Sequence, residues 1–272
     1  MGSLKFLTRE EKIYYEENGF IKLSGLFTEN EMKEISDAYD ELFERKHEES
    51  RQGLEAAWKG DAMKKIAQNG DYTVKAIHNL QMHSGVFTKT IANPKLLDAL
   101  EDIMETENIL LHHTKAHIKP PENGAPYLMH QDYHYFPFKR HTMLAVFLHM
   151  DDTTPENGGL AIYHGSHKSG PLEDFGGKET DEKFHWVDPQ RFPLSGATPV
   201  SAKKGEIVIF SYLTLHGSYL NKSTKTRRMF LIQVRNADDE PCKDVHKSPC
   251  QGLVLRGKNV KRDAAMANRF VH

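Results

Sequence analysis

Cysteine is nearly missing from this chain. Only Cys242 and Cys250 occur in 272 residues, in "CKDVHKSPC". That number excludes a disulfide framework and that spacing matches no paired-thiolate zinc motif, so both read as free thiols. An excess of charge is missing too: 36 basic residues face 38 acidic ones, for a net charge of −2. The balance gives no electrostatic reason to expect nucleic acid or a membrane surface as partner. No apolar run reaches the length of a membrane span or a signal-peptide core. The start, "MGSLKF", lacks the Ser or Thr of a myristoylation signal, and the end, "RFVH", is not a peroxisomal tripeptide. With no recognisable targeting signal, an intracellular, cytoplasmic location is expected. Internal repeats and low-complexity tracts are also lacking. The expected partner is a small-molecule substrate, and the expected state a monomer or weak homo-oligomer.

What is present is a helical first part followed by strands. Thr8 and Glu11 form a capping-box pattern, and Asn18-Gly19 stands where that helix should stop. "FIKLSGLF" reads as a short strand and turn. Thr28 and Glu31 repeat the box ahead of Met32, Ile35, Tyr39, Leu42 and Phe43 at helical spacing. Residues 46–71 are polar and read as a helical lid or an insert. Asn93-Pro94 caps a further helix that buries Leu97, Leu100 and Ile103. From about residue 108 the segments "ILLHHTKAHI", "TMLAVFLHM", "GLAIYH", "GEIVIFSY" and "RRMFLIQVRN" have strand length and β-prone residues. Strands at this spacing, without intervening helices, predict a mainly β fold with flanking helices, an antiparallel sandwich or jelly roll. We read residues 1–272 as one domain: a helical part to about 107, a core over about 108–240, and an extension over 241–272. Residues 165–204 form a connection long enough to be a lid or binding loop.

The chemistry concentrates in "YLMHQDYHYFPF". His130 and Asp132 are two residues apart, so on an extended segment their side chains point to one side. His216, ending a strand in "LTLHGSYLNKSTKTRRMF", offers a third ligand, and Arg227 follows it. Two histidines and one carboxylate leave three open positions on an iron, as non-haem Fe(II) oxygenases require. An isolated H-x-D is uninformative in a chain with 16 histidines; the distal His-Gly-Ser and the arginine give it weight. His134 reads as an outer or surface residue rather than a ligand, and Tyr133, Tyr135, Phe136 and Phe138 as packing around the mouth of the fold. "HGSH" at 164–167 reads as a turn, since no hydrolase elbow follows it.

The segments "IKPPENG", "HQDYHYFPF", "ENGGLAIYHGSH", "KGEIVIF" and "HGSYLNKSTKTRR" together resemble the phytanoyl-CoA dioxygenase (PhyH-like) family of Fe(II)- and 2-oxoglutarate-dependent oxygenases. The resemblance implies a double-stranded β-helix (cupin-like) core and iron bound by His130, Asp132 and His216. It implies that Arg227 pairs with the distal carboxylate of 2-oxoglutarate, with Gln131, Ser218 and Lys75 helping to hold that cosubstrate and O2 as the second one. Relatives that halogenate lack the carboxylate that Asp132 supplies, so hydroxylation, or desaturation or ring closure, is expected. Arg228 should point away from Arg227 by strand alternation.

Strand parity also puts His113, Lys115 and His117 on one side, and Met229, Leu231, Gln233 and Arg235 on the side of Arg227. Lys115, His149, Arg235 and Phe147 are the expected substrate residues. They favour a small carboxylate-bearing or amino-acid-like substrate over a branched acyl-CoA, whose 2-hydroxylation is the alternative. A metal-dependent hydrolase would not need Arg227. A non-catalytic metal- or ligand-binding barrel would not need the whole triad.

Overall fold

Capping chemistry places three of the four α-helices among the described residues where the sequence predicts them. In the computed structural model, which describes residues 3–49, 76–121, 127–176, 185–243 and 245–261, α1 (Arg9–Asn18) begins at a complete capping box. The Glu11 amide donates to Thr8 Oγ1 at 3.2 Å and the Thr8 amide to the Glu11 carboxylate at 2.8 Å. The helix stops at Gly19, whose φ of 78° lies in the left-handed region. A Cβ there would also come within 2.3 Å of His167 Nδ1. The second box opens α2 (Glu29–Glu49), which buries Met32, Ile35, Tyr39 and Leu42. The polar stretch from 46 therefore starts as the end of that helix, and residues 50–75, Lys75 among them, lie outside the described residues. Ser84 caps α3 (Gly85–Ile91) and Asn93 caps α4 (Pro94–Met104).

Among the described residues the strands form two antiparallel sheets, of seven and four strands. The larger contains β1 (Phe20–Leu23), β2 (Ala76–His78), β3 (Ile109–Lys119), β5 (Leu144–His149), β8 (Ile207–Ser211), β10 (Arg227–Asn236) and β11 (Val254–Arg256). Its order is β1-β8-β5-β10-β3-β11, with β2 pairing β3. The smaller runs β4 (Tyr127–His130), β9 (His216–Ser218), β6 (Leu160–Ile162), β7 (Thr198–Val200). The two sheets make the double-stranded β-helix expected from the resemblance. The helical part is not separate from it, because β1 and β2 both join the large sheet, and β11 brings the C-terminal extension onto the other edge.

The long central strands separate two environments. On β10 the even-numbered Phe230, Ile232 and Val234 point into the main hydrophobic core with α2, α3 and α4, while Arg227, Met229, Leu231 and Gln233 face a cavity between the sheets. Tyr39, fully buried on α2, ties the helix to both central strands: its hydroxyl lies 2.8 Å from His117 O and 3.1 Å from Met229 O. On β3 the parity changes along the strand. Ile109 and Leu111 lie in the core, whereas His113, Lys115, His117 and Lys119 line the cavity. The register against β10 slips between Gln233, opposite His113, and Val234, opposite Leu111. His112 is thus the extra residue of a β-bulge.

One buried carboxylate fastens the N-terminal segment. Asp102 on α4 accepts from the amides of Lys5, Phe6 and Leu7 at 2.8–3.0 Å. Asp102→Ala is expected to cost about 3 kcal/mol, since charge-assisted hydrogen bonds are lost and backbone donors left behind. Denaturant melts should show a lower midpoint at unchanged slope. A loss below about 1 kcal/mol would mean that water replaces the carboxylate.

Candidate active site

Three side chains converge at the mouth of the cavity. His130 ends β4 and stands directly opposite His216 at the start of β9, with ring centroids 4.3 Å apart. Gln131 is extended, and Asp132 opens a short 3-10 turn, Asp132–His134. The carboxylate thereby stays on the same side as His130. Asp132 Oδ1 lies 3.8 Å from His130 Nε2 and 3.7 Å from His216 Nε2. One ligand atom from each residue falls within 4.8 Å of the others.

The surroundings fix the orientation of each group. His130 Nδ1 donates to Leu128 O at 2.7 Å and His216 Nδ1 to Thr214 O at 2.9 Å. Each ring is thereby held in the tautomer whose Nε2 lone pair faces the triad. Burial lowers both imidazoles to about 4, with His216 a second cause for His130, so they are neutral near pH 7. Burial pushes Asp132 upward, opposed by His130 and by the Gln233 amide, which donates to Oδ2 at 2.7 Å. Two neutral imidazoles and a carboxylate with convergent lone pairs suit a divalent cation such as Fe(II).

Deeper in the cavity lies an anion cradle. Arg227 is buried, donates through Nη2 to Gly158 O at 2.9 Å, and leaves its Nε without a partner among the described residues. Beside it on the neighbouring strand, Lys119 donates to Ser218 Oγ at 2.7 Å and Tyr219 O at 2.5 Å. Burial, with Arg227 the second cause, pulls the Lys119 amine down to about 6. Gly158 has φ of 84°, and a Cβ there would lie 2.7 Å from Lys119 Cδ. A guanidinium, an amine and a hydroxyl around a glycine, with no carboxylate between them among the described residues, fit the carboxylate end of 2-oxoglutarate.

Lys119 escaped the sequence reading although parity pointed to it, being two residues beyond His117 on the same face. Of the expected substrate residues, Lys115, Phe147 and His149 line the cavity, which holds about 180 Å³. Arg235 does not. Its face of β10 continues past the end of the cavity, where the guanidinium sits 5.3 Å over the Phe138 ring and donates to Asn236 O and Asp239 O. Gln131 likewise turns away from the cavity: its amide donates to Gly170 O and Leu213 O and accepts from the Leu172 amide. It braces the connection after "HGSH" instead of meeting a cosubstrate. "HGSH" itself is a turn, as read. His134 stays out of the triad and packs against His185, with centroids 5.8 Å apart. Arg228 points outward to Asp151 and Asp40.

A double-stranded β-helix with a two-histidine, one-carboxylate cluster at its mouth and a buried arginine behind it is the framework of a non-haem iron oxygenase. Comparison with known proteins gives the family: the family model "Phytanoyl-CoA dioxygenase (PhyH)" matches residues 15–229. The chain belongs to the phytanoyl-CoA dioxygenase family, and it is an Fe(II)- and 2-oxoglutarate-dependent oxygenase. It is 27% identical over 239 residues to the Stutzerimonas stutzeri protein named "Probable alpha-ketoglutarate-dependent hypophosphite dioxygenase", covering 85% of this chain and 80% of that one. It is 27% identical over 239 residues to the peroxisomal phytanoyl-CoA dioxygenase of Bos taurus, covering 85% of this chain and 69% of that one. In fold it is similar to EctD from S. alaskensis with bound Fe, at a TM-score of 0.71 and 17% identity, over 94% of this chain and 87% of that one. No helix among the described residues is long and apolar enough to cross a membrane.

Proposed function

We propose that His130, Asp132 and His216 hold the iron, that Arg227, Lys119 and Ser218 hold the distal carboxylate of 2-oxoglutarate, and that the substrate is a small acid. The observation that carries the substrate class is the charge of the cavity. Among the described residues lining it, Asp132 is the one acid, set against Lys115, Lys119 and Arg227. Lys119 and Arg227 suffice for the cosubstrate carboxylate. Lys115, four residues along β3 and thus about 13 Å away, lines the same cavity and adds positive charge where a second anion would lie.

Bound Fe(II) supplies the oxidising chemistry, drawing on O2 and 2-oxoglutarate. The chain supplies placement. The two backbone-anchored histidines and Gln233 keep three donors aimed at one point. Tyr135, Phe136 and Phe147 line the cavity and keep water from the reacting carbon. With Asp132 in place, hydroxylation, or desaturation or ring closure, is favoured over halogenation. Two unpaired cysteines fit a reducing, cytoplasmic setting.

Substrate-stimulated succinate release, screened over small carboxylic, amino and phosphonic acids and over acyl-CoA thioesters, tests the proposal. Small acids should stimulate most, and Lys115→Met should weaken that stimulation about tenfold with the KM for 2-oxoglutarate unchanged. Strong stimulation by a branched acyl-CoA, insensitive to Lys115→Met, would return the chain to acyl-CoA 2-hydroxylation.

The depressed lysine adds a pH effect. With its pKa lowered to about 6, Lys119 is mostly neutral at pH 7.5 without ligand, and a bound carboxylate favours the charged form. Binding of 2-oxoglutarate should therefore take up close to one proton, and affinity should fall as pH rises above about 6. Calorimetry in buffers of different ionisation enthalpy measures this uptake. A buffer-independent enthalpy, or uptake unaltered in Lys119→Met, would remove Lys119 from the account.

A further inference from the structure

The bulge on β3 creates a second convergence of nitrogen donors, which neither the iron nor 2-oxoglutarate uses. Alternation would send His112 and His113 to opposite faces of the strand. At the bulge both rings turn toward His246, which lies between β10 and β11. The centroids of His112 and His113 are 5.2 Å apart, those of His112 and His246 5.3 Å, and those of His113 and His246 4.6 Å. Each ring can offer one nitrogen such that the three lie within 4.8 Å of one another.

Three ring nitrogens here have no hydrogen-bond partner among the described residues. His112 Nε2, His113 Nδ1 and His246 Nδ1 are buried without a hydrogen bond, whereas buried polar atoms are normally paired. His112 is 0% exposed and His113 4%. Phe136 packs on the cluster, 4.6 Å from the His112 ring and 4.9 Å from that of His246. His246 also holds a φ of 53°, a left-handed conformation uncommon outside glycine.

We propose that His112, His113 and His246 form a second metal site, separate from the triad, for a divalent late first-row cation of the zinc or copper type. Imidazole nitrogen suits these ions and not magnesium or calcium. Three histidines leave a fourth tetrahedral position, and since His113 and His246 both line the cavity, that position is open to water or an oxygen of a bound acid. Gln251 supplies the outer contact. Its Nε2 lies 2.6 Å from His112 Nδ1 while its Oε1 is buried without a partner among the described residues. Turning the amide over lets Oε1 accept from Nδ1–H, which frees Nε2 of His112 as a ligand.

The test counts metal on the full chain and stands apart from turnover. Metal-free protein is titrated with Co(II), with bound metal measured by equilibrium dialysis and elemental analysis and with the visible spectrum recorded. Wild type should bind two equivalents. Asp132→Ala should keep one, with the strong absorption of four-coordinate Co(II). His246→Ala should also keep one, but without that absorption. Gln251→Leu, which removes no ligand, should weaken the second equivalent about tenfold. A single equivalent in wild type, or a second equivalent that survives in His246→Ala, overturns the site. An affinity unchanged in Gln251→Leu removes the glutamine from it.

Discussion

Asp132→Ala is expected to abolish succinate release, with a loss of more than about a hundredfold, because an outer-sphere partner alone is worth ten to a hundredfold at a metal site. The substitution takes away the single anionic donor and leaves two neutral imidazoles whose lone pairs still converge. It also strands the Gln233 amide, which now donates to Oδ2 at 2.7 Å. Iron retention should fall in parallel, measured on the isolated protein under nitrogen, while the melting temperature stays within a few degrees because the triad lies at the mouth and not in the core. His130→Ala and His216→Ala should behave alike. Release continuing at the native rate in any of the three variants would remove that residue from the metal site.

The second large effect is expected at Arg227. Arg227→Lys keeps the charge and loses the planar fork, so the KM for 2-oxoglutarate should rise at least about tenfold. Arg227→Leu should raise it about a hundredfold, on the scale of a lost charge-assisted pair. Neither change touches the triad, so Co(II) equivalents should stay at the wild-type number. The neighbouring Arg228→Leu serves as the control. Its guanidinium reaches outward to Asp151 at 2.7 Å and Asp40 at 2.5 Å, and its loss should lower stability without moving the KM. An unchanged KM in Arg227→Leu would shift the carboxylate to Lys119 alone.

Much of this arrangement could be read from the chain before its coordinates, and the reasons are local. Capping boxes at Thr8 and Thr28, the Asn93-Pro94 start and the strands β1, β3, β5, β8 and β10 are each set by neighbours in sequence. The three-residue strands β2, β6, β7, β9 and β11 depend on pairing partners far away, so most of them carry little signal of their own. His130, Asp132, His216 and Arg227 could be singled out as candidates because metal and carboxylate chemistry restricts residue type and spacing together.

Alternation succeeded over one stretch and failed over another. It placed Lys115 in the cavity and, extended two residues beyond His117 to Lys119, would have found the buried amine beside Arg227. Applied to Arg235 it went too far, since parity gives a side of the sheet but not where the cavity ends. The bulge at His112 had no signal in period-two reasoning. His246 could not be placed either, because it reaches the site from an irregular segment.

The two-faced strand β10 has a consequence for how such a protein changes over generations. Phe230, Ile232 and Val234 anchor the core, while Met229, Leu231 and Gln233, interleaved with them, look into the cavity. Replacement of a cavity residue therefore leaves the packing behind it intact, and replacement of a core residue leaves the chemical surface unaltered. Selection can act on the two sets in turn, so a lineage can exchange one substrate for another by a few neutral-to-fold steps at alternate positions of a single strand. Variants at 229 should accordingly sample new substrates at near-constant melting temperature, whereas those at Leu231, which shares a buried cluster with Ala145 and Phe210, should lower it as well.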